Sequence, residues 1–339
     1  MLQQDVSLKP YNTFGIDAKA RYFARFATMD QLKELLQQSQ PALVLGGGSN
    51  ILLTQDVDGL VLKNELMGIQ KLGEDEQYIY VKAGAGENWH GFVLHCIANG
   101  WAGVENLSLI PGSVGASPMQ NIGAYGVEIK EVFHQLTAYH IHDKETVVFN
   151  AADCQFGYRE SVFKHTYKGQ FIITDVTFKL SKQPQFNISY GAIAQQLESM
   201  AVQDLSIQAI SDAVIAIRSS KLPNPAEIGN AGSFFKNPVV PQQQYEQLKE
   251  KHPSLVGYAQ TDGSVKLAAG WLIEHSGPTA DSSWKGYRQG DAGCHAKQAL
   301  VLVNYGTATG QQIYDLSEAI LQSVETKFGV LLQREVNII

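Results

Sequence analysis

One run of 24 residues, "GVENLSLIPGSVGASPMQNIGAYG" at positions 103–126, constrains this chain more than any other stretch. Glu105 is its only side chain charged at neutral pH. A solvated loop of that length normally carries charge, because charge keeps a surface wet. A flexible linker would lack Leu107, Leu109, Ile110, Ile122 and Tyr125. Two readings remain. The run is either an irregular loop of the core or backbone pressed against a buried ligand, with glycine and serine at the contact. A cofactor with a pyrophosphate suits the second.

A second glycine turn, "GGGSN" at 46–50, follows the apolar "ALVL" and precedes "ILL". Consecutive glycines permit positive φ and let backbone N–H groups face an anion. No Gly-Lys-Ser/Thr follows, and Ile51 stands where a dinucleotide fingerprint needs its third glycine. Taken alone, the turn reads as a tight connection.

Periodicity supplies the rest. "ATMDQLKELLQQ" is an amphipathic helix, with Thr28 and Gln31 in a capping-box pattern. "NWHGFVLHCIANG" is another, stopped by Gly100. Strands are expected at "GLVLKN", "YIYVKAGAG", 132–142, 146–149 and "FIITDVTFKL". They do not alternate regularly with helices, so the class is α+β rather than a doubly wound sheet. The helix "SIQAISDAVIAIRSSK" ends at "LPNP", a domain boundary. Beyond it come helices near 241–251 and at "KLAAGWLIEHSG", a strand "ALVLVN", and a long helix from Thr309, boxed with Gln312, to Gly329. The terminal "VLLQREVNII" reads as a strand whose polar face carries Gln333, Glu335 and Asn337.

Formal net charge is -7 with no Lys/Arg cluster, which argues against nucleic acid as a partner. The start lacks the features of a signal peptide, and no apolar run is long enough to span a bilayer. Three widely spaced cysteines fit a reducing cytoplasm and neither a disulfide frame nor a zinc site. A soluble cytoplasmic chain with no membrane partner is expected. His140 and His142 would share a strand face, but no third ligand is suitably spaced, so no metal is expected.

Three side chains invite chemistry. Ser233, in "NAGSFFKNP", is either a turn serine before a strand that buries Phe234 or Phe235, or a proton donor or nucleophile among small and aromatic neighbours. It lacks a Gly-x-Ser-x-Gly setting. Arg159, in "FGYRES", is either a surface strand residue or a cation aimed at a developing enolate or carboxylate. Glu335 reads, by itself, as one residue of a solvated edge.

In order along the chain, "YNTFGI", "LGGGSNILL", "GVENLSLIPGSVGASPMQNIGAYG", "FGYRES", "NAGSFFKNPVV", "DGSVKLAAGWLIE", "HAKQALVLVN" and "QREV" resemble the UDP-N-acetylenolpyruvoylglucosamine reductase (UDP-N-acetylmuramate dehydrogenase) family. The ordered set is highly specific, and 274–294 matches least well. The resemblance implies a vanillyl-alcohol-oxidase (PCMH) type FAD domain over 1–218, with subdomains near 1–66 and 67–218. The C-terminal strand 330–339 would return to it, and 219–329 would form a substrate domain.

Non-covalent FAD would then lie on Gly46, Gly47, Gly48, Ser49 and Asn50, and on Ile110, Pro111, Gly112, Ser113, Gly115, Ala116, Ser117, Ile122 and Gly123, with Tyr158 and Arg218 beside it. NADPH is the implied electron donor and the enolpyruvyl ether of a UDP-sugar the implied substrate. Tyr190 marks the subgroup whose mobile loop closes with a tyrosine. Lys221, Asn237, Tyr258, Lys285 and Gln298 would hold the sugar nucleotide. Arg159 would stabilise the enolate-like charge, Glu335 would act as a protonated donor and Ser233 would deliver the proton, with Phe234 and Phe235 as walls. A monomer is implied. Two competing readings are another flavoenzyme of the same fold and a non-catalytic nucleotide-sugar binding protein.

Overall fold

The computed structural model describes residues 2–339, and the chain divides into two compact units. The first comprises 2–6, 20–48 and 57–220; the second comprises 7–19, 49–56 and 221–339.

Two larger sheets and the two-stranded pair Gly123–Ala124 and Val127–Glu128 build the first unit. One runs in the order Gln3–Ser7, Lys19–Phe26, Val57–Asn64, Pro41–Leu45. Val57–Asn64 is parallel to both Lys19–Phe26 and Pro41–Leu45, so its connections must cross over. The helix Met29–Gln38 makes one crossover and buries Leu32, Leu35 and Leu36 in a cluster with Phe26, Leu60 and Leu62. Each such leucine contributes roughly 1.5–3 kcal/mol of burial. The Thr28 hydroxyl caps Gln31 N as expected, but the Gln31 side chain reaches back to Ala27 N rather than Thr28 N, so the box is incomplete. The second sheet is antiparallel, in the order Thr146–Asn150, Phe133–His140, Phe171–Ser181, Tyr78–Gly84, Ile69–Glu74. Its apolar cluster includes Trp89, Phe92, Val93, Cys96 and Ile97 of the helix Trp89–Ala98, and the Trp89 and Phe92 rings meet Phe178.

In the second unit an antiparallel sheet runs Gly229–Ser233, Val301–Asn304, Ala292–Cys294, Arg288–Gln289. A smaller one runs Val239–Pro241, Ser264–Leu267, Gly257–Ala259. The helix Gly310–Phe328 buries Ile313, Leu316, Ile320, Val324 and Phe328. Thr309 and Gln312 complete its capping box, and Gly329 ends it at φ 64°. Residues 7–19 join this unit through local pairing: Asn230 N donates to Thr13 O, and Asn304 Nδ2 donates to Phe14 O. Among the described residues no helix is long and apolar enough to cross a membrane.

The terminal segment does reach Ile51–Leu52, inside the 1–66 stretch expected to receive it, although not as one continuous strand. It clusters with the second unit and splits its pairing between two partners. Lys236 N donates to Gln333 O and Glu335 N to Phe234 O, while Asn337 N and Ile339 N donate to Asn50 O and Leu52 O. Only Asn337–Ile338 is regular strand, parallel to Ile51–Leu52. The change of partner breaks the alternation, so Glu335 is half-buried while Gln333 and Asn337 are exposed.

Candidate active site

The first unit builds a backbone cradle. A Cβ on Gly47 would sit 2.8 Å from Gly112 Cα, and one on Gly46 would collide with Ser113 Oγ. The two glycine turns therefore lie backbone against backbone, a packing that side chains would forbid. Gly115 is pressed on Ala85 in the same way, where an added Cβ would come within 2.5 Å of the alanine Cβ. Gly48 and Gly112 both have positive φ, 62° and 124°. Lys63 Nζ donates to Gly46 O from a partly buried position, and burial lowers its pKa.

Residues 103–126 contribute to the core, as the first reading of the run expects. Leu107, Val114 and Ile122 are buried in the core cluster. Ile110, Gly112, Gly115 and Gly123 are half-buried, Pro111 and Ala116 are exposed, and Ser113 and Ser117 are buried. The Ser117 hydroxyl is turned inward to Val114 O at 2.6 Å.

Two arginines join this region. Arg159 sits at φ 56° in a turn closed between Gly157 and Glu160, not in a surface strand, and its Nη2 donates to Gly123 O at 2.7 Å. Its guanidinium lies 5.6 Å from the Tyr158 ring centroid. Arg218, in the helix Ile207–Lys221, donates through Nε to Leu109 O at 3.2 Å, and the Tyr125 side chain is among the groups that act on its charge. Burial lowers the Arg218 pKa, and Arg159 adds like-charge repulsion. Burial likewise raises the pKa of Tyr125. No carboxylate pairs with Arg218 among the described residues. A desolvated cation of this kind favours an anionic ligand. The Tyr190 ring meets Tyr125 edge-on at 5.3 Å, immediately before the helix Gly191–Ser199.

In the second unit Ser233 ends a strand rather than preceding one. Phe234 and Phe235 are fully buried, Phe234 against Phe14, so they pack the interior instead of walling a cleft. The bridge between Phe235 and Arg334 sets Glu335 beside Phe234, one residue from Ser233. Arg334 anchors the segment, donating to Ser317 Oγ and Glu318 and lying over the Tyr314 ring. Asn237 Oδ1 accepts from Ala269 N, and Gln298 Oε1 from Leu300 N. Lys285 is in an ion pair with Glu274 at 2.8 Å. Tyr258 and Lys221 are exposed. Ser49 and Asn50, expected beside Gly46, Gly47 and Gly48, cluster with the second unit, where Asn50 is tied to the terminal segment. No spacing rule marks Lys63 or His90, because each grips a backbone group distant in sequence.

Closely packed glycine turns beside a buried arginine without a carboxylate partner, carried on mixed sheets and helices, make a unit of α+β class suited to an anionic ligand. Residues 20–149 match the family described as FAD binding domain, and 224–339 match UDP-N-acetylenolpyruvoylglucosamine reductase, C-terminal domain. The chain is 52% identical to UDP-N-acetylenolpyruvoylglucosamine reductase of Amoebophilus asiaticus over 100% of this chain and 99% of that one. It is 52% identical to the Pseudomonas putida enzyme of the same name, over 99% and 98%. The solved structure of the Thermus caldophilus reductase shares the fold, with a TM-score of 0.68 at 22% identity, covering 100% of this chain and 99% of that one. The chain belongs to the UDP-N-acetylenolpyruvoylglucosamine reductase family.

Proposed function

We propose that this chain is an NADPH-dependent flavoenzyme that reduces the enolpyruvyl ether of UDP-N-acetylglucosamine to UDP-N-acetylmuramate, a step in peptidoglycan precursor synthesis. Within a chain of this family, the observation that carries the reading is Arg218, desolvated without a carboxylate partner beside a glycine-lined cradle. FAD fits that cradle: residues 46–50, 110–113, 115–117 and 122–123, with Tyr158 and Arg218, would hold it. When bound, FAD supplies hydride transfer, from NADPH to the β-carbon of the enolpyruvyl group.

The remaining work falls to side chains. Arg159, a permanent cation with a planar fork, binds both oxygens of the substrate carboxylate as charge develops there. Glu335, if it carries a proton when substrate is bound, donates a hydrogen bond to the same oxygens. Ser233 gives its proton to the α-carbon. Tyr190, Lys221, Asn237, Tyr258, Lys285 and Gln298 hold the sugar nucleotide, and Lys285 exchanges Glu274 for it. The enzyme works as a cytoplasmic monomer, without nucleic acid or membrane as partner.

The test is the visible spectrum of the purified protein before and after anaerobic NADPH. A flavin spectrum that bleaches, then recovers on adding the enolpyruvyl UDP-sugar, is the expected result. Bleaching reversed only by oxygen would favour an oxidase of the same fold. A colourless protein that takes up no FAD would leave a non-catalytic binding protein.

A further inference from the structure

Leu109 has φ 58°, the left-handed region that side-chain-bearing residues rarely occupy, and it opens the turn 110–113. Both of its backbone polar groups are held by side chains. Its N–H donates to His90 Nδ1 at 3.0 Å, and its carbonyl accepts from Arg218 Nε at 3.2 Å. The start of the helix Trp89–Ala98 grips the same loop at three more points. Trp89 Nε1 donates to Leu107 O, Trp89 N to Gly112 O, and Val114 N to Glu87 O. An amide nitrogen only donates, so His90 Nδ1 is the acceptor and its ring proton lies on Nε2.

We propose that His90 is a positioning residue of the cofactor site: the neutral imidazole holds the turn 109–113 ready for the FAD phosphates, and its protonation releases the turn. The proposal rests on the FAD reading above. Protonation would replace the acceptor lone pair with an N–H facing the Leu109 N–H, and would add a cation opposite Arg218. Arg218 is the charged group acting on the ring, and it is itself flanked by Tyr125 and Arg159. The nearest acidic side chain in sequence, Glu87, is occupied with Gly68 N, and His95, further along the helix, packs on Trp101.

Burial, with the Arg218 charge added, lowers the His90 pKa below its ordinary value. A depressed histidine contributes fully above about pH 6.5, and its contribution is lost as pH falls through the lower folded value.

The experiment titrates FAD into the apoprotein, read by flavin fluorescence, from pH 5 to 8. His90→Asn keeps an acceptor oxygen near the Nδ1 position and does not titrate, whereas His90→Leu removes the acceptor. In the wild type, Kd should rise by up to about tenfold per pH unit below the His90 pKa. H90N should match the wild type at pH 8 and lose that acid weakening. H90L should bind at least about tenfold more weakly than the wild type at pH 8, because a backbone donor is left unpaired, with the gap closing in acid where the wild-type acceptor is also lost. If H90L does not fold at pH 8, the H90N profile decides alone. H90N retaining the wild-type pH profile, or folded H90L binding FAD as the wild type does, would overturn the proposal. Wild-type protein that takes up no FAD at pH 8 would overturn the cofactor reading and this inference with it.

Discussion

An aliphatic hydroxyl is a poor acid unless its alkoxide is stabilised, so the role proposed for Ser233 depends on its surroundings. Ser233 terminates a strand on two interior phenylalanines, and Glu335 is held one residue away by the Phe234 carbonyl. A fixed backbone restricts where the hydroxyl can point. Ser233→Ala should leave flavin reduction by NADPH nearly intact and slow reoxidation by the enolpyruvyl substrate by about 10²-fold or more, measured by stopped-flow on each half-reaction. Equal slowing of both halves would remove the proton-donor role. The serine was legible as a candidate from its neighbours. The burial of Phe234 and Phe235 agrees with the reading of a strand that buries them, but "FF" in sequence carries no sign that both sides of the chain are interior.

At the scale of elements, the paired glycine turns are the feature most open to test. Gly47 has no room for a Cβ, since Gly112 Cα would be 2.8 Å away. Gly47→Ala should push the 46–48 and 112–113 turns apart and weaken FAD binding by about tenfold or more while leaving the far-UV dichroism unchanged. Wild-type affinity in that variant would mean that the turns do not form the cradle. Helices were read well where their ends carry local signals, as at Thr309, Gln312 and Gly329. The strands Gln3–Ser7, Lys19–Phe26 and Ile69–Glu74 went unread. Edge and half-exposed strands carry weak alternation, and their partners lie far along the chain. The terminal segment is strand only at Asn337–Ile338, since two separate partners break its period at Val336.

At the scale of the whole molecule, FAD binding to the folded state must raise stability by mass action. At 100 times its Kd the gain is about 2.7 kcal/mol. Thermal unfolding of the apoprotein with and without FAD at that ratio should therefore shift to a higher Tm. An unchanged Tm would show that the folded chain does not hold the cofactor. Hydrophobic periodicity, capping residues and the nearly uncharged 103–126 run are local properties, and they were enough to determine an α+β class and most helices. The ordered motifs determined the family. Which segments share a compact unit was a matter of tertiary structure, since 7–19 and 49–56 are recruited by pairing with strands and a terminus hundreds of residues away. The clamp on Leu109 is also tertiary: a histidine and an arginine 128 positions apart meet at one peptide. Hydrogen bonds to backbone leave no periodic trace in sequence, because any residue supplies the N–H and the C=O that they use.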